Sequence, residues 1–362
     1  AVGRKFLVAG DGGFNLTHSE SIDSFITRYT PHDFLEKALR SFTNSDLRNC
    51  LKSIGIETYI GSSKRIFPVK GIKPIEVLNA FLAKLKGKKV QIHTLHEWKG
   101  WRETNQLIFL NKTEEVLVDT DIVVFALGGA SWKVTGSDGR WVDIFERKEI
   151  QTIPFQASNC AYQVQWPDGF LEKNEGQWLK NISVTTEQQT NKGELVITKF
   201  GIEGGAVYAL SPLLRKQLLT NGVAKITIDF KPTFSEEELI QKLSIKTTKS
   251  ITQILSDELK LADTQIALLK TFVSKEDFLN TEKLGSIIKA FTLSLIETAP
   301  IDEAISTVGG IALSEADENF QLNKLPNHYA LGEMLNWDAP TGGYLLQGCF
   351  SMGAWLAKGL NV

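Results

Sequence analysis

Glycine is distributed in this chain as though two kinds of structure had been joined. Of its 29 glycines, Gly285 alone falls between residues 231 and 300, a stretch that also lacks tryptophan, while 28 sit in the other 292 residues. Glycine frees the backbone for left-handed turns and weakens helices. The glycine-poor stretch therefore reads as helical and its flanks as turn-rich. Ser235-Glu236-Glu237-Glu238 opens the stretch as a capping box, with Ser235 as N-cap and Glu238 three residues on.

The flanks differ from each other. Residues 1–152 mix glycine-rich turns, a β-like run at 117–126 and a helical stretch at 74–86, the pattern of an α/β domain. From 153 to 230 the apolar runs shorten and alternate, as at 159–166 and 224–230, which reads as an inserted, mostly antiparallel β-domain. Residues 231–300 then form a small helical subdomain. Glycine-rich character returns over 301–362, so one α/β domain is interrupted by the other two segments. A chain of 362 residues has the length for two to three domains at about 150 residues each.

Charge and cysteine content exclude several classes. Forty Lys and Arg against 42 Asp and Glu leave a formal charge of −2, unlike a polybasic nucleic-acid binder, and nucleic acid is not expected as a partner. The most apolar stretch, 344–356, is interrupted by Gln347, Gly348 and Gly353 and falls short of the about 20 residues of a membrane span. No membrane partner is expected. Cys50, Cys160 and Cys349 form no CxxC pair, which suggests a reducing, cytoplasmic setting and no metal site. There is no GxxxxGK[ST], GxSxG or HExxH motif. His93 and His96 lie in a β-like run, where their spacing directs them to opposite faces.

Three glycine clusters remain as candidates for ligand contact. The first runs from Gly3 through Arg4 and Lys5 to Gly10, Gly12, Gly13, Phe14 and Asn15, and it combines backbone freedom with positive charge, suiting a phosphate-bearing guest. By spacing alone it is also a glycine-rich surface turn. In the second, an apolar run ends in Ala126-Leu127-Gly128-Gly129, the form taken by the carboxyl edge of a parallel strand. The third comprises Gly332-Glu333 and then Pro340-Thr341-Gly342-Gly343-Tyr344, leading into a helical stretch that reaches about Lys358. A helix start of this kind exposes unpaired N–H groups to an anion, although a packed helix after a turn has the same sequence pattern. His18 and His328 lie in loop-like sequence and are open to either role.

With Arg65-Ile66-Phe67-Pro68, Thr198 to Gly205 and Thr307-Val308-Gly309-Gly310, these clusters resemble the BaiN/YhiN-like NAD(P)/FAD-dependent oxidoreductases, flavoproteins that include aminoacetone oxidase-like members. The matches fall in the family's order over nearly the whole chain. Glu203-Gly204-Gly205, Leu345 and Phe14 depart from the Ser-Gly-Pro, Asn and Cys of the better-known branch and mark a distinct one. The resemblance implies a discontinuous Rossmann-like FAD domain. In it Arg4, Lys5 and Gly10 to Asn15 lie along the pyrophosphate and ribityl, Ala126, Leu127, Gly128 and Gly129 near the adenosine half, and Gly332 and Glu333 again at the pyrophosphate and ribityl. Gly342, Gly343 and Tyr344 present the last helix to the flavin N1–C2=O edge. The family's opening GxGxxG βαβ unit, about 40 residues, is absent from this chain and is expected upstream of Ala1.

The activity so implied is transfer of hydride through flavin N5 between NAD(P)H, or a small organic substrate, and an acceptor. By proximity to the family motifs, His18, Arg65, Lys199, Glu203 and Tyr344 are candidate side chains, with Arg65 as an anchor for an anionic substrate and Glu203 and Tyr344 as proton-handling groups. Two alternatives stand beside it. One is a tRNA-modifying flavoprotein with a basic patch at Lys64, Arg65, Lys70 and Lys73; the other is a scaffold that binds no cofactor.

Overall fold

The computed structural model describes residues 2–8, 14–245 and 247–360. They pack as two compact units, one running up to Ala157 and resuming at Ile301, the other Ser158–Pro300.

In the first unit, its two chain segments meet in a parallel pair, Val123–Phe125 beside His328–Ala330, with Phe125 opposite Ala330. The β-like run at 117–126 is not one strand. Its first half closes a three-stranded antiparallel sheet of His96–Glu103, Gln106–Asn111 and Glu114–Asp119, and its second half joins the parallel pair. The break follows Asp119, where the Thr120 N–H turns back to the Asn105 carbonyl at 2.9 Å. His96 begins a strand but His93 precedes it, and Leu95 adopts a left-handed backbone with φ 61°. The two imidazoles therefore meet edge to face at 5.6 Å instead of pointing to opposite faces. His328 is buried: its Nε2 accepts from Trp101 Nε1 at 3.0 Å, so it belongs to the aromatic core and not to a ligand site.

A second antiparallel sheet, Thr17–His18, Arg65–Pro68 and Thr58–Ile60, pairs Thr17 with Ile66 and His18 with Arg65. Against this sheet starts the longest helix of the unit, Tyr344–Gly359, whose Tyr344 and Met352 enter the core with Phe25, Tyr29, Leu35 and Trp337. The first glycine cluster yields a five-residue helix, Arg4–Val8. Gly10, Gly12 and Gly13 lie outside the described residues.

The second unit holds a six-stranded antiparallel sheet in the order Phe291–Leu295, Ala224–Asp229, Trp178–Thr186, Gln189–Ile197, Gly201–Glu203 and Tyr162–Gln163. Its first strand in this order comes from the stretch read as helical. Phe291–Leu295 alternates buried and exposed residues and pairs along the whole of Ala224–Ile228, so an amphipathic strand prevailed over helix-rich composition. The other regular elements of that stretch, among the described residues, are helices. Glu236–Leu243 starts with the capping box anticipated, Glu238 N–H to Ser235 Oγ at 3.2 Å and Ser235 N–H to Glu238 Oε2 at 2.8 Å. Among the described residues no helix is long and apolar enough to cross a membrane.

Candidate functional site

The first unit contains a cavity of about 440 Å³ whose walls come from both ends of the sequence. One wall is Lys5, Phe6, Phe14 and Asn15; the other is Glu333, 340–343, Leu345, Leu346 and Cys349. The first turn of the Tyr344–Gly359 helix opens onto it. Gly343 precedes the helix with φ 98°, no side chain caps it, and no acidic residue stands in its first turn. The first intrahelical bond into the turn runs from the Gln347 N–H to the Gly343 carbonyl at 3.0 Å. Helix geometry thus leaves the N–H groups of Tyr344, Leu345 and Leu346 without intrahelical acceptors, and the helix dipole concentrates positive potential there.

Gly343 is required by its surroundings as well as its backbone angle. A β-carbon at this position would come within 2.4 Å of Thr17 Cα, so the start of the helix lies directly on the Thr17–His18 strand. Opposite, Lys5 Nζ donates to Ser131 Oγ at 2.9 Å and lies 3.7 Å from Glu333 Oε2. Cys349, at the back of the cavity, has its thiol pushed up to about 12 by burial and by the nearby Glu333 carboxylate.

Of the residues singled out in the sequence, Lys5, Phe14, Asn15, Glu333, Gly342 and Gly343 line this cavity together. Gly332 borders it: a β-carbon there would stand 3.4 Å from Cys349 Sγ. Arg4 points elsewhere, its NH1 toward the Val134 carbonyl at 3.4 Å. Ala126 to Gly129 follow the parallel strand and are fastened from several sides. The Leu127 N–H meets Met334 Sδ at 3.1 Å, Trp141 Nε1 donates to the Gly128 carbonyl at 3.1 Å, and Ser137 Oγ donates to the Gly129 carbonyl at 2.9 Å.

Arg65 and Tyr344 flank Gly342, for a β-carbon on that residue would lie 3.3 Å from Arg65 Nε and 3.6 Å from the Tyr344 ring. The Tyr344 hydroxyl donates to Glu20 Oε1 at 2.6 Å, and its ring stacks on His18 with centroids 5.3 Å apart. Burial opposes the Glu20 charge, but hydrogen bonds from Arg28 and Tyr344 outweigh it and hold the carboxyl below its ordinary range. Burial together with the Glu20 bond raises the Tyr344 phenol. Burial lowers His18, whose Nδ1 accepts the Glu20 N–H at 3.2 Å. Glu203 belongs to the second unit, on Gly201–Glu203, where burial first and the Glu203 charge second raise the Tyr208 phenol. Lys199 also lies there.

Sequence reasoning missed Glu20 and Arg28, which sit in no motif, and it gave the Gln347 side chain no structural partner. A lone amide in an apolar run is the signal that was available: in a buried helix it must find partners.

A discontinuous α/β unit, with a parallel strand ending in glycines and an uncapped helix start facing a lysine, defines the Rossmann-type class of dinucleotide-cofactor proteins. Within that class the chain belongs to the HI0933-like family of FAD-dependent oxidoreductases; the family model, described as HI0933-like protein Rossmann domain, matches residues 1–359. Among curated proteins, a 3-dehydro-bile acid delta(4,6)-reductase of Clostridium scindens is 22% identical over 366 residues, covering 97% of this chain and 88% of that protein. Among solved structures, a 3-ketosteroid-delta4-(5alpha)-dehydrogenase of Rhodococcus jostii in complex with 4-androstene-3,17-dione is similar at TM-score 0.45 and 12% identity, covering 94% of this chain and 84% of that one. A 3-ketosteroid delta1-dehydrogenase of Sterolibacterium denitrificans in complex with 1,4-androstadiene-3,17-dione has TM-score 0.36 and 11% identity, covering 82% and 64%.

Proposed function

We propose that this chain binds FAD in the cavity between Lys5 and the Tyr344–Gly359 helix and acts as an oxidoreductase on a small organic substrate, with NAD(P)H as the other hydride partner. The observation that carries this reading is the uncapped helix start opening onto a cavity walled by Lys5 and Phe14. The residues fit such a cofactor. A volume of about 440 Å³ lies within the roughly 300–1,000 Å³ of small-molecule sites, the free N–H groups and Lys5 suit anionic oxygens, and Phe6, Phe14 and Leu346 offer an apolar wall. FAD, when bound, supplies hydride acceptance and donation at N5. Lys5, Asn15, Gly342 and Gly343 would hold it, and the helix start would favour negative charge on its reduced form.

The chain's own residues then bind and orient. Arg65, which has no ion pair among the described residues, is suited to anchor an anionic group of the substrate. Tyr344 and Glu203 are assigned to proton handling: Tyr344 is hydrogen-bonded to the Glu20 carboxylate, and the Glu203 charge acts on the Tyr208 phenol. The relative named as a bile acid reductase supports reduction of a carbon–carbon double bond as the reaction type to try first.

The test is a visible absorption spectrum of the purified protein after incubation with FAD and gel filtration, followed by anaerobic titration with NADH and NADPH. A retained flavin band that either nucleotide bleaches is the expected result. Retention of no flavin overturns the proposal, and a flavin band that neither nucleotide bleaches removes NAD(P)H from it.

A further inference from the structure

We infer that Thr17 and Gln347 are positioning residues: they form a buried polar strut that fixes the first turn of the Tyr344–Gly359 helix and thereby sets how strongly the cavity favours negative charge. The second half of this inference rests on the FAD reading above; the first half stands on the structure alone.

Gln347 lies one turn into the helix and is fully buried, as are Thr17 and Ser351. The Thr17 hydroxyl donates to Gln347 Oε1 at 2.8 Å. Gln347 Nε2 donates to the Phe42 carbonyl and to Ser351 Oγ, both at 3.1 Å, and Ser351 Oγ donates to the same carbonyl at 2.7 Å. The amide thus has a partner for its oxygen and for both its N–H groups. Such a network is satisfied at one rotation and one axial height of the helix, whereas leucine at this position would demand neither. A buried amide of this kind defines position more than it adds stability.

The strut joins the two walls of the cavity. Thr17 follows Phe14 and Asn15 by a few residues, and Gln347 follows Leu345 and Leu346 directly. The strand end is itself anchored, because Thr17 pairs with Ile66 and the Leu16 N–H bonds the Ile66 carbonyl at 2.8 Å. The helix start is therefore referenced to a sheet, and its N–H groups are held still before any ligand arrives. Preorganised dipoles stabilise charge without reorganising, and a helix start free to shift loses part of that effect.

The decisive variant is Thr17→Val, which keeps the side-chain shape and removes the hydroxyl, with Thr17→Ser as the conservative rescue. In hydrogen exchange on protein without added FAD, amides at 347–349 should exchange at least tenfold faster in T17V and within threefold of wild type in T17S, while amides of Ser211–Asn221 stay unchanged. In FAD-loaded protein, T17V should disfavour reduced flavin about tenfold, moving the two-electron midpoint about 30 mV more negative, and T17S should not. If T17V does not fold, Ser351→Ala cuts the same network more mildly and must move both readouts in the same directions. Unchanged exchange at 347–349 overturns the strut. Faster exchange with an unmoved midpoint leaves a merely structural role and overturns the second half. If the wild type takes up no FAD, the FAD reading falls and takes the second half with it, while the exchange result alone decides the first.

Discussion

The Tyr344 hydroxyl reaches Glu20 Oε1 at 2.6 Å although 324 residues separate the two in sequence, and Arg28 grips the same carboxylate with Nε at 3.1 Å and NH2 at 2.9 Å. From the other side the Tyr29 hydroxyl donates to the Tyr344 carbonyl at 2.6 Å. The residue that opens the long helix is thereby held by its side chain and its backbone together. Glu20 and Tyr29 thus contribute to the geometry of a cavity that neither of them lines.

Removing the phenol hydroxyl tests this clamp. A hydrogen bond to a charged group contributes about 1.5–3 kcal/mol, and Arg28, which is half exposed, keeps Glu20 partly satisfied. Tyr344→Phe should therefore destabilise the protein by about 1–2 kcal/mol in urea unfolding. In a double-mutant cycle with Glu20→Gln the coupling should exceed about 0.5 kcal/mol. Additive effects would mean that the two groups act separately.

His18 gives the clamp a pH dependence. Burial lowers its pKa, Arg28 and Arg65 lower it further, and the Glu20 carboxylate and a Ser63 backbone bond pull the other way without prevailing. The folded protein therefore holds the neutral ring more firmly than the unfolded chain does. A group with a depressed folded pKa contributes stability above its unfolded pKa, about 6.5 for histidine, and loses it as pH falls through the folded value. Wild-type Tm should fall as pH drops below about 6.5, and His18→Asn should flatten that decline. Glu20, also depressed, acts in a separate window below the ordinary carboxylate pKa of about 4.3. Parallel Tm profiles for wild type and H18N between pH 7 and 5 would refute this role.

Local signals were legible in the sequence and distant pairings were not. Ser235 and Glu238 declare their helix start within four residues, and the glycines of the third cluster mark the turn before Tyr344. The alternation of Phe291–Leu295 was present, yet its neighbours form helices and its partner strand lies far back in the chain. In the site, Lys5 and Glu333 stood in glycine-rich motifs and meet across the cavity. Glu20 carries no local pattern, because its function comes from contacts with Arg28 and Tyr344 that only the fold creates.

Gly129 should tolerate no side chain. A β-carbon there would lie 2.1 Å from Thr307 Oγ1, the atom that accepts the Ala130 N–H at 3.2 Å. Overpacking of this kind costs about 1–3 kcal/mol. Gly129→Ala should lower the urea midpoint accordingly, and adding Thr307→Ala should recover part of the loss by removing the clashing atom. A double variant no more stable than G129A would show that the obstruction is backbone and not the threonine hydroxyl.

Lys5 separates binding from stability. Its side chain is 31% exposed and its ammonium lies 3.7 Å from Glu333, a pair that contributes at most about 1 kcal/mol to folding. Toward an anionic cofactor its loss counts more, since Glu333 then faces the cavity with no cation beside it. Lys5→Met should leave Tm nearly unchanged and weaken FAD five- to thirtyfold, about 1–2 kcal/mol, measured by flavin fluorescence titration. Equal affinity in K5M and wild type would remove Lys5 from the cofactor site.

Cys349 reports occupancy of the cavity without any turnover. Burial and the Glu333 carboxylate push its thiol up to about 12. A free cysteine titrates near about 8.5 and only the thiolate is the nucleophile, so at pH 8 far less of Cys349 is thiolate in the folded protein than in an unfolded chain. Iodoacetamide labelling read by peptide mass should be slow at Cys349 in the folded protein and fast in urea. Because Cys349 is among the residues that line the cavity, with Leu345 and Leu346, FAD should slow whatever folded-state labelling remains, and riboflavin, which lacks the pyrophosphate and adenosine, should protect less. Fast labelling in the folded state would show that the cavity wall opens often enough to ionise the thiol. Labelling that FAD leaves unchanged would place the cofactor away from this wall.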